Sequence, residues 1–122
     1  LQDINRDYKL ARQIDTVASY RIFLRKHPDS DQEANIRNFI GFLYANGKSV
    51  AKDPTEGVRW FQEAAELGHK EAMMNLAYHY RFGLGVPKSV ESAKGWYNKA
   101  AEAGHPYAKL HLKDLEKTIS KP

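Results

Sequence analysis

The sequence predicts an all-α fold, a solenoid of antiparallel helical hairpins. Three observations predict it: a 36-residue internal repeat, helix start and stop signals at matched places in each copy, and connections short enough to join antiparallel neighbours. Sliding the chain by 36 residues aligns Gly47 with Gly83, Val50 with Val86, Lys52 with Lys88 and Trp60 with Trp96. It also aligns Ala64-Ala65-Glu66 with Ala100-Ala101-Glu102, and Gly68-His69 with Gly104-His105. Residues 46–69 and 82–105 share 9 identities in 24 positions, and the register continues through Tyr44 and Tyr80, Ala72 and Ala108, and Leu76 and Leu112. Each copy is then one supersecondary unit that buries its apolar face by stacking on the next.

The elements follow in order. Residues 4–14 place Ile4, Tyr8, Ala11 and Ile14 on one helical face. Thr16 to Lys26 carries Val17, Tyr20, Phe23 and Leu24 at helical spacing, and His27-Pro28-Asp29 stops it because proline drives its predecessor out of the helical region. Ser30-Asp31-Gln32-Glu33 reads as a capping box opening a helix to about Asn46, with Ile36, Ile40 and Tyr44 inward. Asp53-Pro54-Thr55-Glu56 offers an N-cap acceptor, a proline at the first helical position and a glutamate able to return a bond to the cap, so a helix runs over 54–67 until Gly68. The remaining helices are expected over 70–82, ended by Gly83; over 90–103, capped by Ser89 and ended by Gly104; and over 106–118, opened by Pro106. The β-like fragment Lys48-Ser49-Val50 is too short to change the class. The expected organisation is an N-terminal hairpin over 1–30 that caps the solenoid, repeats over 31–69 and 70–105, and a closing helix and tail over 106–122.

The chain has 122 residues, one domain's worth, with 19 Lys+Arg against 15 Asp+Glu for a net charge of +4. Without cysteine it has no disulfide framework, thiolate zinc site or thiol nucleophile. No run approaches the roughly 18 apolar residues of a transmembrane helix, and Leu1-Gln2-Asp3 does not resemble the start of a signal peptide, so a soluble chain is expected. Beginning on Leu1, it is expected to be a processed chain or a module of a longer protein. The basic residues are scattered, except that Lys109, Lys113 and Lys117 fall one per helical turn, interrupted by Asp114 and Glu116. That stripe is the alternative site, for a nucleic acid or another anion; a dimerisation or spacer role is a further alternative.

No residue pattern calls for catalysis, a cofactor or a metal. His69 and His105 are repeat equivalents following the closing glycines, which suits a turn or cap, and His79 and His111 lack a partner one turn away. Glu63, Glu66 and Glu71 are helix-surface carboxylates with no apolar pocket around a pair. Gly83-Leu84-Gly85 follows a helix rather than a strand and lacks the Lys-Ser/Thr continuation of a phosphate loop.

Recognition of another protein is the function the pattern favours. Tyr44, Trp60, Tyr80, Trp96 and Tyr97 recur with the repeat as core aromatics. Each helical residue turns about 100°, so if Ile36, Ile40 and Tyr44 face the core, Asn38, Phe42 and Ala45 face away. Likewise Met74, Tyr78 and Arg81 lie opposite Ala72, Leu76 and Tyr80. The expected partner site is a concave groove where Phe42, Met74 and Tyr78 supply apolar anchors, Asn38 and Asn75 hydrogen bonds and Arg81 a charge, joined by Tyr107 and Leu110.

These residues resemble the Sel1-like repeat, a tetratricopeptide-related helical hairpin with the pattern Ala-x3-Leu-Gly-x2-Tyr-x2-Gly-x-Gly-Val, then Ala-x2-Trp, then Ala-Ala-x-x-Gly. The second copy matches at Ala72, Leu76, Tyr80, Gly83, Gly85, Val86, Ala93, Trp96, Ala100, Ala101 and Gly104, and departs at Ala77 and Ser89. The first matches at Gly41, Tyr44, Gly47, Val50, Asp53, Trp60, Ala64, Ala65 and Gly68. It has Ser49 for the second loop glycine and Gly57 for alanine, which should make its loop and second helix less regular. Ser19 to Ser30 resembles the Phe-Leu-x-x-Tyr-Pro-Asp stretch of other bacterial tetratricopeptide-like helical pairs. The resemblance implies a right-handed α–α superhelix and adaptor or scaffold work, often in bacterial signalling or envelope processes. The partner expected is a protein or peptide, including another domain of the same full-length protein, with no membrane insertion.

Overall fold

The computed structural model describes residues 3–120, with side chains through residue 119; Leu1, Gln2 and the tail residues Lys121 and Pro122 lie outside it. Among the described residues there are seven helices and no strand: α1 (Ile4–Ile14), α2 (Val17–Lys26), α3 (Glu33–Asn46), α4 (Pro54–Glu66), α5 (Lys70–Phe82), α6 (Val90–Glu102) and α7 (Ala108–Ser120). Each helix packs chiefly on its neighbours in the chain, the one-dimensional order of a helical-repeat solenoid. The core runs through it as three linked clusters. Tyr20, Phe23, Ile36 and Ile40 meet Trp60 at one end; Phe61, Ala64, Ala72 and Leu76 fill the middle; Ala77, Ala93, Tyr97 and Leu115 close the other end.

Local chemistry explains most boundaries. Thr16 and Ser19 form a reciprocal capping box at α2, each hydroxyl accepting from the other's backbone N–H, at 3.0 and 3.2 Å. The Asp53 carboxylate accepts from Glu56 N at 3.1 Å and Ser89 Oγ from Ser92 N at 3.1 Å, capping α4 and α6 as expected. Gly47 and Gly83 close α3 and α5 with φ of 69° and 68°.

Three start signals are used differently. Ser30 does not cap α3: its hydroxyl accepts from Gln32 N at 3.2 Å, its carbonyl accepts from Glu33 N at 3.1 Å, and the Glu33 carboxylate is drawn to Arg37 instead. Glu56 does not return a bond to the α4 cap, because its two oxygens accept from Arg59 and from the Trp60 indole at 2.7 and 3.1 Å. Pro106 lies in a turn, and α7 starts at Ala108, because His105 turns the chain. Its Nδ1 accepts from Tyr107 N at 3.1 Å, which puts the ring proton on Nε2, where it donates to Glu71 at 2.8 Å. The cap expected at His105 therefore also ties the start of α7 to the start of α5.

The first repeat is no less regular than the second. Ser49, equivalent to Gly85, holds the same left-handed turn, with φ of 66° against 77°. Its hydroxyl accepts from Val17 N at 3.1 Å, so the loop docks on the start of α2, as the Gly85 loop docks on the start of α4. Gly57 is helical and lets α3 approach α4 closely.

Candidate functional site

α3 and α5 stand side by side, joined by Asn75 Nδ2 donating to Asn38 Oδ1 at 2.9 Å. This links two of the expected site residues and, among the described residues, leaves the Asn38 amide NH2 and the Asn75 amide carbonyl as unused polar groups. Phe42 and Tyr78, the same repeat position in successive copies, are 46% and 50% exposed on this side. Both wall one cleft of about 330 Å³, whose other boundaries are Asn46, Lys52, Pro54, Asn75 and Leu84 with Ala45, Phe61 and His79. A second cleft of about 340 Å³, bounded by Arg12, Asp15, Asn38, Phe39 and Leu43, shares Phe42 and Asn75 with the first. The two form one surface from the end of α1 to the loop after α5.

His79 Nδ1 lies 2.8 Å from the Asn75 backbone carbonyl. A carbonyl only accepts, so the proton sits on Nδ1 and Nε2 is left as an acceptor. The ring packs 5.2 Å from that of Phe61, and burial lowers the pKa of His79 below its ordinary 6.5, favouring this neutral form. The cleft thus combines apolar rings with a few fixed polar atoms.

The remaining expected residues are placed otherwise. Met74 is not an outward anchor: it is half-buried against both the Leu76 and the Tyr97 clusters. Ala45 does not face solvent but packs on Val58 and Phe61 at the bottom of the cleft. Both corrections have one cause: a helix in a stacked solenoid touches its hairpin partner and its neighbouring repeats, so its buried arc is wider than half a turn. Arg81 is half-buried with its guanidinium 5.2 Å from the Phe82 ring, outside the clefts. Phe82 in turn lies 4.9 Å from Tyr78, extending the aromatic patch. Tyr107, in the turn before α7, and Leu110, on α7, are 61% and 59% exposed, and neither lines the two clefts.

Sequence reasoning missed Phe39, Lys52, Leu84 and His79. Leu84, an apolar residue between two loop glycines, was the available signal; the position of His79 depends on Phe61 arriving from α4. Lys109, Lys113 and Lys117 are exposed along α7, as their spacing predicts. Among the described residues, no three His, Asp or Glu side chains gather closely enough to hold a metal, and no helix is long and apolar enough to cross a membrane.

The comparisons agree with this architecture. The Sel1 repeat profile matches residues 37–69 and 70–105, more than half of the chain. A Sel1 repeat protein from Oxalobacter formigenes superposes with a TM-score of 0.77 at 29% identity, covering 93% of this chain and 46% of its own. A protective antigen of uropathogenic Escherichia coli strains, displaying an SLR fold, gives 0.71 at 26% identity, covering 80% of this chain and 20% of its own. The present chain thus spans less than half the length of these two proteins. Helicobacter pylori cysteine rich protein B shares the fold, with a TM-score of 0.65 at 20% identity over 90% of this chain and 95% of its own. No curated protein matches the sequence significantly. Repeats of this kind are generally protein–protein interaction modules. The chain belongs to the Sel1 repeat family.

Proposed function

We propose that this chain is an adaptor or scaffold module that docks a segment of another protein, or of another part of its own full-length protein, in the groove formed by α3 and α5. The observation that carries this reading is the pairing of Phe42 and Tyr78. They are equivalent positions one repeat apart, each about half exposed, and they wall the same cleft. Large apolar groups grouped on an accessible face, among fixed hydrogen-bonding atoms, are the usual anchors of protein recognition. Asn38 and Asn75 supply the polar contacts.

The test is a pull-down from lysate of the source cell with the wild-type chain beside a Phe42→Ala/Tyr78→Ala variant, both shown to be folded by circular dichroism. Affinity for the captured protein is then measured by calorimetry. Loss of that protein from the folded variant, with affinity reduced at least about tenfold, supports the groove. Equal affinity moves the site elsewhere.

A second reading, self-association or an architectural stacking role, has its own observation. The outer side of the α1–α2 hairpin leaves Leu10, Ile14 and Ile22 about half exposed around a cleft of about 120 Å³. An apolar patch of this kind, edged by Asp7 and Lys26, is what a further stacked element would cover. A solution mass that rises with concentration and is returned to monomer by Ile14→Ser/Ile22→Ser supports this reading; a concentration-independent monomer excludes it.

A further inference from the structure

The charge around the groove narrows what can fill it. Lys48, in the turn after α3, sets its ammonium 5.5 Å from the centre of the Phe42 ring, and Lys52 walls the same cleft from the following loop. Both are exposed, and among the described residues neither is held in an ion pair. Arg12, in the adjoining cleft, is paired with Asp15 and adds no uncompensated charge. Asp15 is the one carboxylate among the described residues walling either cleft, and it is already engaged, 3.5 Å from Arg12 and accepting from the Tyr20 hydroxyl. Carboxylates gather elsewhere instead, where Glu33, Glu63 and Glu66 surround Arg37. An apolar floor with an uncompensated cationic rim is complementary to a ligand of opposite sign around an apolar centre.

We infer that the docked segment is an acidic peptide, with an aromatic or aliphatic side chain seated between Phe42 and Tyr78 and flanking Asp or Glu residues reaching Lys48 and Lys52. This rests on the docking function proposed above and specifies the chemistry of its partner. Two cations, Lys48 over the Phe42 ring and Lys52 at the cleft wall, suit one or two carboxylates beside an anchor. A nucleic acid backbone would need cations tracking its length.

The experiment pans a display library of random linear peptides on the protein, then measures selected peptides by fluorescence anisotropy against wild type, Phe42→Ala/Tyr78→Ala and Lys48→Glu/Lys52→Glu. The expected result is selection of peptides rich in Asp and Glu next to an aromatic or aliphatic residue. Their affinity should fall at least about tenfold in either double variant, and several-fold in wild type when salt is raised from about 0.05 to about 0.5 M. Peptides that need Phe42 and Tyr78 but show no acidic enrichment, and bind the Lys48→Glu/Lys52→Glu variant equally, overturn this inference while leaving the groove intact. Selected peptides indifferent to Phe42 and Tyr78 overturn the groove and the inference together. Tighter binding of a single-stranded oligonucleotide than of any selected peptide, lost on charge reversal, overturns the assignment of a peptide.

Discussion

Gly41 and Gly57 bring the backbones of α3 and α4 together at their crossing, beside the Phe61 ring and Ala45. A Cβ on Gly57 would lie 2.8 Å from the Gly41 carbonyl oxygen, and one on Gly41 would lie 2.7 Å from the Phe61 ring and 3.0 Å from the Gly57 oxygen. Backbone atoms cannot swing aside as a side chain can, so the two glycines set how closely these helices approach and hence where α3 presents Phe42. Gly57→Ala gains up to about 1 kcal/mol of helix propensity but forces the helices apart, and a net loss of about 1–3 kcal/mol is expected. Gly95, on the exposed side of α6, has nothing within 4 Å of its added Cβ, so Gly95→Ala should stabilise by up to about 1 kcal/mol. Denaturant midpoints of the two variants should move in opposite directions; movement of both upward contradicts the close crossing.

The equivalent loops at Ser49 and Gly85 should respond differently to the same change. At Gly85, φ is 77° and an added Cβ would collide with the backbone of Pro54 and Thr55, so Gly85→Ala combines a strained turn with a clash. Ser49 already bears a left-handed backbone, and Ser49→Ala removes only the bond to Val17 N, at a cost of about 1 kcal/mol. Thermal unfolding should rank Gly85→Ala well below Ser49→Ala, and the reverse order would show that the two loops do not dock alike.

Acidification should weaken the fold through the buried imidazole of His79 and the half-buried one of His69. Burial lowers the pKa of both His79 and His69 below 6.5, while the unfolded chain keeps the ordinary value. The unfolded state therefore binds more protons between the lowered values and 6.5. Stability is fully present above that window and declines as pH falls through it. Urea midpoints should drop from about pH 7.5 to about pH 5, and His79→Gln should flatten part of the dependence. A midpoint that rises on acidification contradicts the burial of these rings.

Tyr20 should ionise well above the ordinary tyrosine value of 10. Its hydroxyl donates to Asp15 and accepts from Arg12 Nη1 at 2.8 Å, and burial first, then the Asp15 bond, pushes its pKa up to about 12. Ultraviolet alkaline titration should show a component near pH 12 that is absent from Tyr20→Phe. That variant should lose about 1–2 kcal/mol, since Asp15 and Arg12 keep each other but lose the bridge. A titration unchanged by the substitution contradicts the arrangement.

What could be read from the sequence was whatever rests on local chemistry. Asp53 and Ser89 cap helices because their oxygens reach N–H groups three residues on, and the 36-residue register carried Phe42 onto Tyr78. Ser30 misled because a hydroxyl before a glutamate can serve a turn as readily as a cap. Ala45 and Met74 misled because helix phase identifies one buried stripe, whereas these helices are buried on several sides. The cationic rim was hidden for another reason: Lys48 and Lys52 are two among many scattered basic residues until the α3–α4 loop places them beside Phe42.

Docking on the α3–α5 face is decided by amide and side-chain shift mapping by NMR, titrating the isotopically labelled chain with the segment of a captured partner. Shifts should concentrate at Asn38, Phe42, Asn75, Tyr78 and His79, with the Asn38 and Asn75 side-chain amides among the largest. Shifts confined to the Lys109, Lys113 and Lys117 side of α7, or to the Leu10, Ile14 and Ile22 surface, would contradict it.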